Sequence, residues 1–135
     1  AGPSVIVVDA SILANVVGDD GAPGGHARAA LAGQDVSVPD LADVEVVSVL
    51  RRRWLTKTMT ARRLAAAIDD LAILPAERYP VLPFMPRAYE LRANVSAYDA
   101  TYVALAEQLG CPLLTADARL ASAQAPRCAI RVLRG

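Results

Sequence analysis

The chain has 135 residues, 54% hydrophobic and 21% charged, which suits one folded domain with a real core and excludes a disordered chain. Its 14 basic and 14 acidic residues cancel, which argues against a strongly basic nucleic-acid binder and leaves only local patches open. No apolar run reaches the length of a membrane span, and the start lacks a charged segment followed by an apolar one, so neither a membrane nor a secretory signal is expected.

In chain order, Val5-Ile6-Val7-Val8 is a continuous β-branched run, the pattern of a buried parallel strand. Ser11 to Val17 follows as a short helix. Asp19 to Gly25 is predicted to be a loop by its Gly, Pro and Asp content. His26 to Ala32 is an Ala-rich helix stopped by Gly33. Val36-Ser37-Val38 is a short strand ended by Pro39. From Asp40 to about Leu55 the apolar residues Leu41, Val44, Val47, Leu50 and Trp54 recur with helical spacing. Thr60 caps a second long helix reaching about Leu74. Tyr79 to Leu82 is a short extended piece, and Pro86 opens a helix over Ala88 to about Ala93. Asp99 to Leu109 is a helix closed by Gly110. Leu113-Leu114-Thr115 is a strand, Asp117 to Ala123 a helical turn, and Ala129 to Leu133 the last strand. Strands alternating with helices give an α/β fold with a parallel sheet, whose ligand site belongs at the carboxyl ends of the strands.

Four acids stand where the pattern has little room for charge. Asp9 ends the first strand, and Asp117 follows Leu113-Leu114-Thr115. Asp99 opens a helix. Glu45 lies on an apolar stripe, between Leu41 and Val49. A buried carboxylate without a partner costs several kcal/mol or shifts its pKa. A shared hard cation satisfies clustered carboxylates at once. Singly, Asp9 and Asp99 read as helix caps and Asp117 as an Asx-turn residue. Asp40 and Asp43 read as solvated acids near a helix start. Glu45 on its stripe is what tips the group toward a metal site.

Other chemistries lack their residues. There is no phosphate-binding GxxxxGK[ST] loop, no GxGxxG and no GxSxG elbow. His26 is the one histidine, which excludes a multi-His zinc site, and it reads as a solvated surface residue. Cys111 and Cys128, 17 apart without metal-type spacing, are expected as two buried thiols in a reducing, cytoplasmic setting rather than as a disulfide.

Val7-Val8-Asp9-Ala10-Ser11 resembles the opening motif of PIN domains, and more closely that of VapC-type toxin ribonucleases. Val38-Pro39-Asp40-Leu41-Ala42-Asp43-Val44-Glu45-Val46 is similar to the family's second motif, Tyr98 to Ala106 to its third, and Leu114-Thr115-Ala116-Asp117-Ala118-Arg119-Leu120 to its fourth. The resemblance runs from about Val5 to Val132. It implies a PIN-like three-layer sandwich, a central parallel sheet flanked by helices, with residues 1–135 as a single PIN domain. It further implies an acidic pocket of Asp9, Glu45, Asp99 and Asp117 that holds Mg²⁺ or Mn²⁺, supported by the hydroxyls of Ser11 and Thr115. The implied activity is metal-dependent endoribonuclease cleavage by the toxin of a toxin–antitoxin pair. The sequence leaves open which acids bind directly, and whether one metal or two are held. A silent PIN-like binding module and a small metal-dependent phosphatase are the alternatives.

Arg51-Arg52-Arg53, with Lys57, Arg62 and Arg63, is the densest basic stretch, balanced between a solvated helix corner and an RNA contact. Tyr98 and Tyr102, at helical spacing, read as core or rim packing rather than as base-stacking residues. The helices 40–55 and 60–74 carry more Ala, Leu and Val than one small sheet face needs, which is compatible with a protein interface. VapC-type toxins use this region to form a homodimer and to receive an antitoxin, so the resemblance implies both partners besides the RNA substrate.

Overall fold

The β-branched run forms β1 (Val5–Val8), with Val7 and Val8 fully buried as a strand covered on both faces requires. The computed structural model describes residues 4–134, and Ala1-Gly2-Pro3 and Gly135 lie outside the described residues. The chain continues through α1 (Ala10–Gly18), α2 (Ala22–Leu31), β2 (Asp35–Pro39), α3 (Ala42–Leu55), α4 (Ala61–Ile73) and β3 (Glu77–Tyr79). A short 3-10 turn, Leu82–Phe84, leads into α5 (Met85–Glu90), α6 (Ala97–Leu109), β4 (Leu113–Thr115), α7 (Ala118–Ala121) and β5 (Ile130–Val132).

The five strands pair in parallel in the order β3-β2-β1-β4-β5. The chain therefore steps outward from β1 to β3, then returns to lay β4 and β5 on the other side of β1. Right-handed crossovers put the helices of the two directions on opposite faces. In agreement, α1 packs with α2, α3 and α4, while α6 packs on β1 and β2 together with α5. This is the layered α/β sandwich the sequence predicts. The core lies between sheet and helices, with Ile12, Leu13, Val46, Leu50, Tyr102 and Val103 buried around the sheet. Among the described residues, no helix is long and apolar enough to cross a membrane.

Two expectations shift. The Gly-rich segment before His26 is helical from Ala22, because the Asp19 carboxylate accepts from the Gly21 and Gly24 amides and Pro23 fits the first turn. The third strand falls at Glu77–Tyr79, before the predicted Tyr79 to Leu82. Pro80, lacking an N–H, ends it, and Arg78 ties it to α3 through a bidentate pair with Asp43 at 2.7 and 3.1 Å. That pair gives Asp43 a structural partner.

Candidate metal centre at the carboxyl edge of the sheet

Between β1 and β4 the winding of the sheet reverses, and the crevice at the carboxyl end of such a pair is where α/β folds place ligands. Asp9 ends β1 there. It is 6% exposed and caps α1, accepting from the Ile12 amide at 3.3 Å. Its two oxygens each take a hydroxyl as well: Ser11 Oγ donates to Oδ1 at 2.5 Å, and Thr115 Oγ1 donates to Oδ2. Each hydroxyl in turn accepts from the backbone of the loop after β4, Ser11 from the Ala116 amide at 3.1 Å and Thr115 from the Asp117 amide at 3.0 Å. The two hydroxyls thus point their protons at Asp9 and couple its orientation to the loop that carries Asp117. The capping role and a ligand role are compatible on one side chain.

Glu45 enters from the first turn of α3 and is half-buried. Its buried partner is Tyr102, whose hydroxyl donates to Oε1 at 2.7 Å while the ring stays in the core. Burial raises the Tyr102 phenol and the adjacent Glu45 reinforces the rise, so it remains a donor. The sequence pattern placed Tyr102 in the core and missed this contact, although its position three residues after Asp99 on α6 puts both on one face. Ser96, not Asp99, caps α6. Its hydroxyl accepts from the Asp99 amide at 3.1 Å, which leaves Asp99 in the first turn, where its carboxyl feels the charges of Asp9 and Asp117. Asp117 caps α7 and pairs with Arg119 at 3.4 Å, a loose contact made by an arginine 93% exposed.

Repulsion links the acids pairwise, Glu45 with Asp99 and Asp9, and Asp99 with Asp9 and Asp117. Burial raises the Asp9 carboxyl above the ordinary carboxylate range, against the pull of its hydroxyl donors. Burial also raises Glu45, with Asp99 and Asp9 adding to it, and raises Asp99, with Asp9 and Asp117 adding to it. Asp117 alone is lowered, by its hydrogen bonds from Arg119. Repulsion among oxygen donors, with one arginine at the rim, is the condition a hard divalent cation relieves. Among the described residues no three of these side chains form a ready-made cage. A cation that keeps several waters, as Mg²⁺ does, suits such a set better than one needing an all-protein shell.

The basic run lies at the other end of α3. Arg53 is spent on α1, donating to Asn15 Oδ1 at 2.7 Å, while Arg51 and Arg52 are exposed. With a rise of about 1.5 Å per residue, they stand roughly 10 Å along the helix from Glu45. His26 is exposed on α2.

Comparison with known proteins identifies the family. A family model described as PIN domain matches residues 6–126. The chain is similar to Ribonuclease VapC9 of Mycobacterium tuberculosis, 43% identical over 130 residues that cover 96% of this chain and 98% of the relative. Among solved structures it resembles VapC20 of Mycobacterium tuberculosis, described as a Sarcin-Ricin loop cleaving toxin, with a TM-score of 0.67 at 22% identity over 85% of this chain and 92% of the other. It also resembles VapBC2 of Rickettsia felis, bound to a fragment of promoter DNA, with a TM-score of 0.66 at 10% identity over 93% and 96%.

Proposed function

The chain belongs to the PIN domain family, among the VapC ribonucleases, and from that premise we propose that it is a Mg²⁺- or Mn²⁺-dependent endoribonuclease and the toxin of a toxin–antitoxin pair. What supports this reading is the chain of repulsion that links Glu45 to Asp9 and Asp99, and Asp99 to Asp9 and Asp117, with Asp9 at the carboxyl end of the central strand. Residues 1–135 then act as one PIN domain.

Asp9 and Asp99 are the direct ligands in this proposal. Ser11 and Thr115 hold both oxygens of Asp9 in place and favour its ionised form by donating to it. Tyr102 occupies Oε1 of Glu45, which turns Oε2 toward a water or a ligand position. Asp117 completes the set and holds Arg119 at the rim, where a guanidinium meets a phosphate of the incoming RNA. Exposed Arg51 and Arg52 are the further candidates for backbone phosphates, which they would bind without reading sequence. A divalent cation held here supplies a more acidic water and neutralises charge on the scissile phosphodiester. Exposed Val44, Trp54, Leu55, Ile68 and Ile73 on α3, α4 and their ends support an antitoxin seat and a homodimer contact on these two helices.

The test is cleavage of a labelled RNA by purified protein with Mg²⁺ or Mn²⁺, with chelator, and beside a phosphate monoester. Cleavage of RNA alone, abolished by chelator, is the expected result. Turnover of the monoester without RNA cleavage, or RNA cleavage indifferent to chelator, overturns the proposal.

A further inference from the structure

At the edge of the sheet opposite the acids, the two cysteines come together. Leu113 of β4 is the register partner of Ile130 of β5, and the Leu113 amide donates to Ala129 O at 2.9 Å. Cys111 and Cys128 each lie two positions before that pair, just ahead of β4 and β5, where the same register carried back would set them side by side. Neighbouring parallel strands run about 4.8 Å apart, inside the roughly 4.4–6.8 Å separation of Cα atoms that a disulfide spans. Both thiols are free and half-buried, and both line one cavity of about 580 Å³ with Ala106, Glu107, Gly110 and Arg127. Glu107 is already occupied, accepting from Arg87 at 2.8 and 3.0 Å and from the Arg127 amide at 2.7 Å, so it offers the pair no third metal ligand.

From this register and shared cavity we propose that Cys111 and Cys128 form a reversible intramolecular disulfide, made by exchange with a small-molecule disulfide such as oxidised glutathione. The Cys111 thiolate attacks one sulfur of the glutathione disulfide and releases one glutathione thiolate. The Cys128 thiolate then attacks the Cys111 sulfur of the mixed disulfide and releases the second. Two protein thiols are oxidised, one glutathione disulfide is reduced to two thiols, and the two protein protons end on those products. The order follows the environment. Burial raises both thiols, but Cys128, beside Glu107, is pushed up further, to about 11, so Cys111 supplies the first thiolate. The bond closes the segment that carries Thr115, Asp117 and α7. It therefore restrains the segment that bears Asp117 and Thr115 from the far end of β4 without touching the site.

The reduced full chain is incubated with oxidised glutathione, alkylated under denaturing conditions and weighed. The expected product is a monomer about 2 Da lighter with no alkylated thiol, a Cys111–Cys128 cross-linked peptide, and a melting temperature higher by roughly 10 °C that dithiothreitol reverses. Cys128→Ser should stop at one glutathione adduct on Cys111 with no such rise, and both it and Cys111→Ser should cleave RNA like the parent. Two alkylated thiols after oxidation, two stable glutathione adducts, or cross-links only between chains each overturn the proposal.

Discussion

Asp99 shows how one residue carries opposite demands. Its carboxyl is raised by burial and by the charges of Asp9 and Asp117, so in the metal-free protein its ionised form is destabilising. Asp99→Asn removes that charge and should raise the melting temperature of the metal-free protein by a few degrees, while RNA cleavage falls at least about 100-fold, since even residues that only orient ligands cost 10–100-fold. Calorimetry beside a cleavage assay checks both, and a folded Asp99→Asn protein with full activity would remove Asp99 from the site. The supporting hydroxyls give a graded version. Tyr102→Phe deletes the donor to Glu45 but keeps the ring in the core, so cleavage should drop roughly 10-fold or more at a stability cost of about 1 kcal/mol. Thr115→Val removes a donor to Asp9 and the acceptor of the Asp117 amide together, so it should cost more on both readouts. Equal effects of the two variants on stability would contradict this ranking.

At the scale of elements, α2 separates two glycines that look alike in sequence. A Cβ on Gly24 would sit 1.8 Å from the Asp19 carbonyl oxygen, because α2 starts against the backbone that caps it. A Cβ on Gly25 would meet nothing within 4 Å. Gly25→Ala should therefore stabilise by about 0.5–1 kcal/mol through helix propensity, and Gly24→Ala should destabilise by about 2 kcal/mol or more by displacing the cap. Chemical denaturation of the two variants checks the signs, and a stabilising Gly24→Ala would show that the close approach is dispensable. The same helix marks what the sequence made legible. Ordinary caps and stops were readable: Thr60 accepts from the Arg63 amide, and Gly110 takes φ 64 at the end of α6. So were the strands built from continuous apolar runs. The start of α2 was not, because it depends on Asp19 reaching five residues ahead to Gly24, a contact that composition hides. The acids were legible as a pattern, since strand ends and helix starts share one edge by topology. Tyr102 on Glu45, and Cys111 and Cys128 on one cavity, were not, because each joins segments that only the folded chain brings together.

The whole molecule answers acid in two directions, and a cation held at the proposed site would separate them. Glu107 is buried enough to be raised, but Arg87 and the Arg127 amide outweigh that and lower it, so its latch on the C-terminal segment holds above the ordinary glutamate range and is lost as pH falls through its depressed pKa. Asp9, Glu45 and Asp99 run the other way. Their raised carboxyls penalise the metal-free fold at neutral pH, and that penalty fades as they protonate on acidification. In the proposed site a bound cation would require the same three groups ionised, so its binding would release their protons as pH drops. The rise in melting temperature on adding millimolar Mg²⁺ or Mn²⁺ should therefore be largest near pH 7–8 and fade above the ordinary carboxylate pKa of about 4, because the protons return early. Glu107 lies outside the acidic group, so its contribution cancels in the difference between scans with and without metal. Scans at pH 8, 7, 6 and 5, repeated for a variant with all four acids neutralised, check this. The variant should show no metal-induced rise at any pH. A rise in the parent that stays constant down to the ordinary carboxylate range would mean that the cation binds acids whose pKa values are not raised. A rise preserved in the variant would place the cation elsewhere on the molecule.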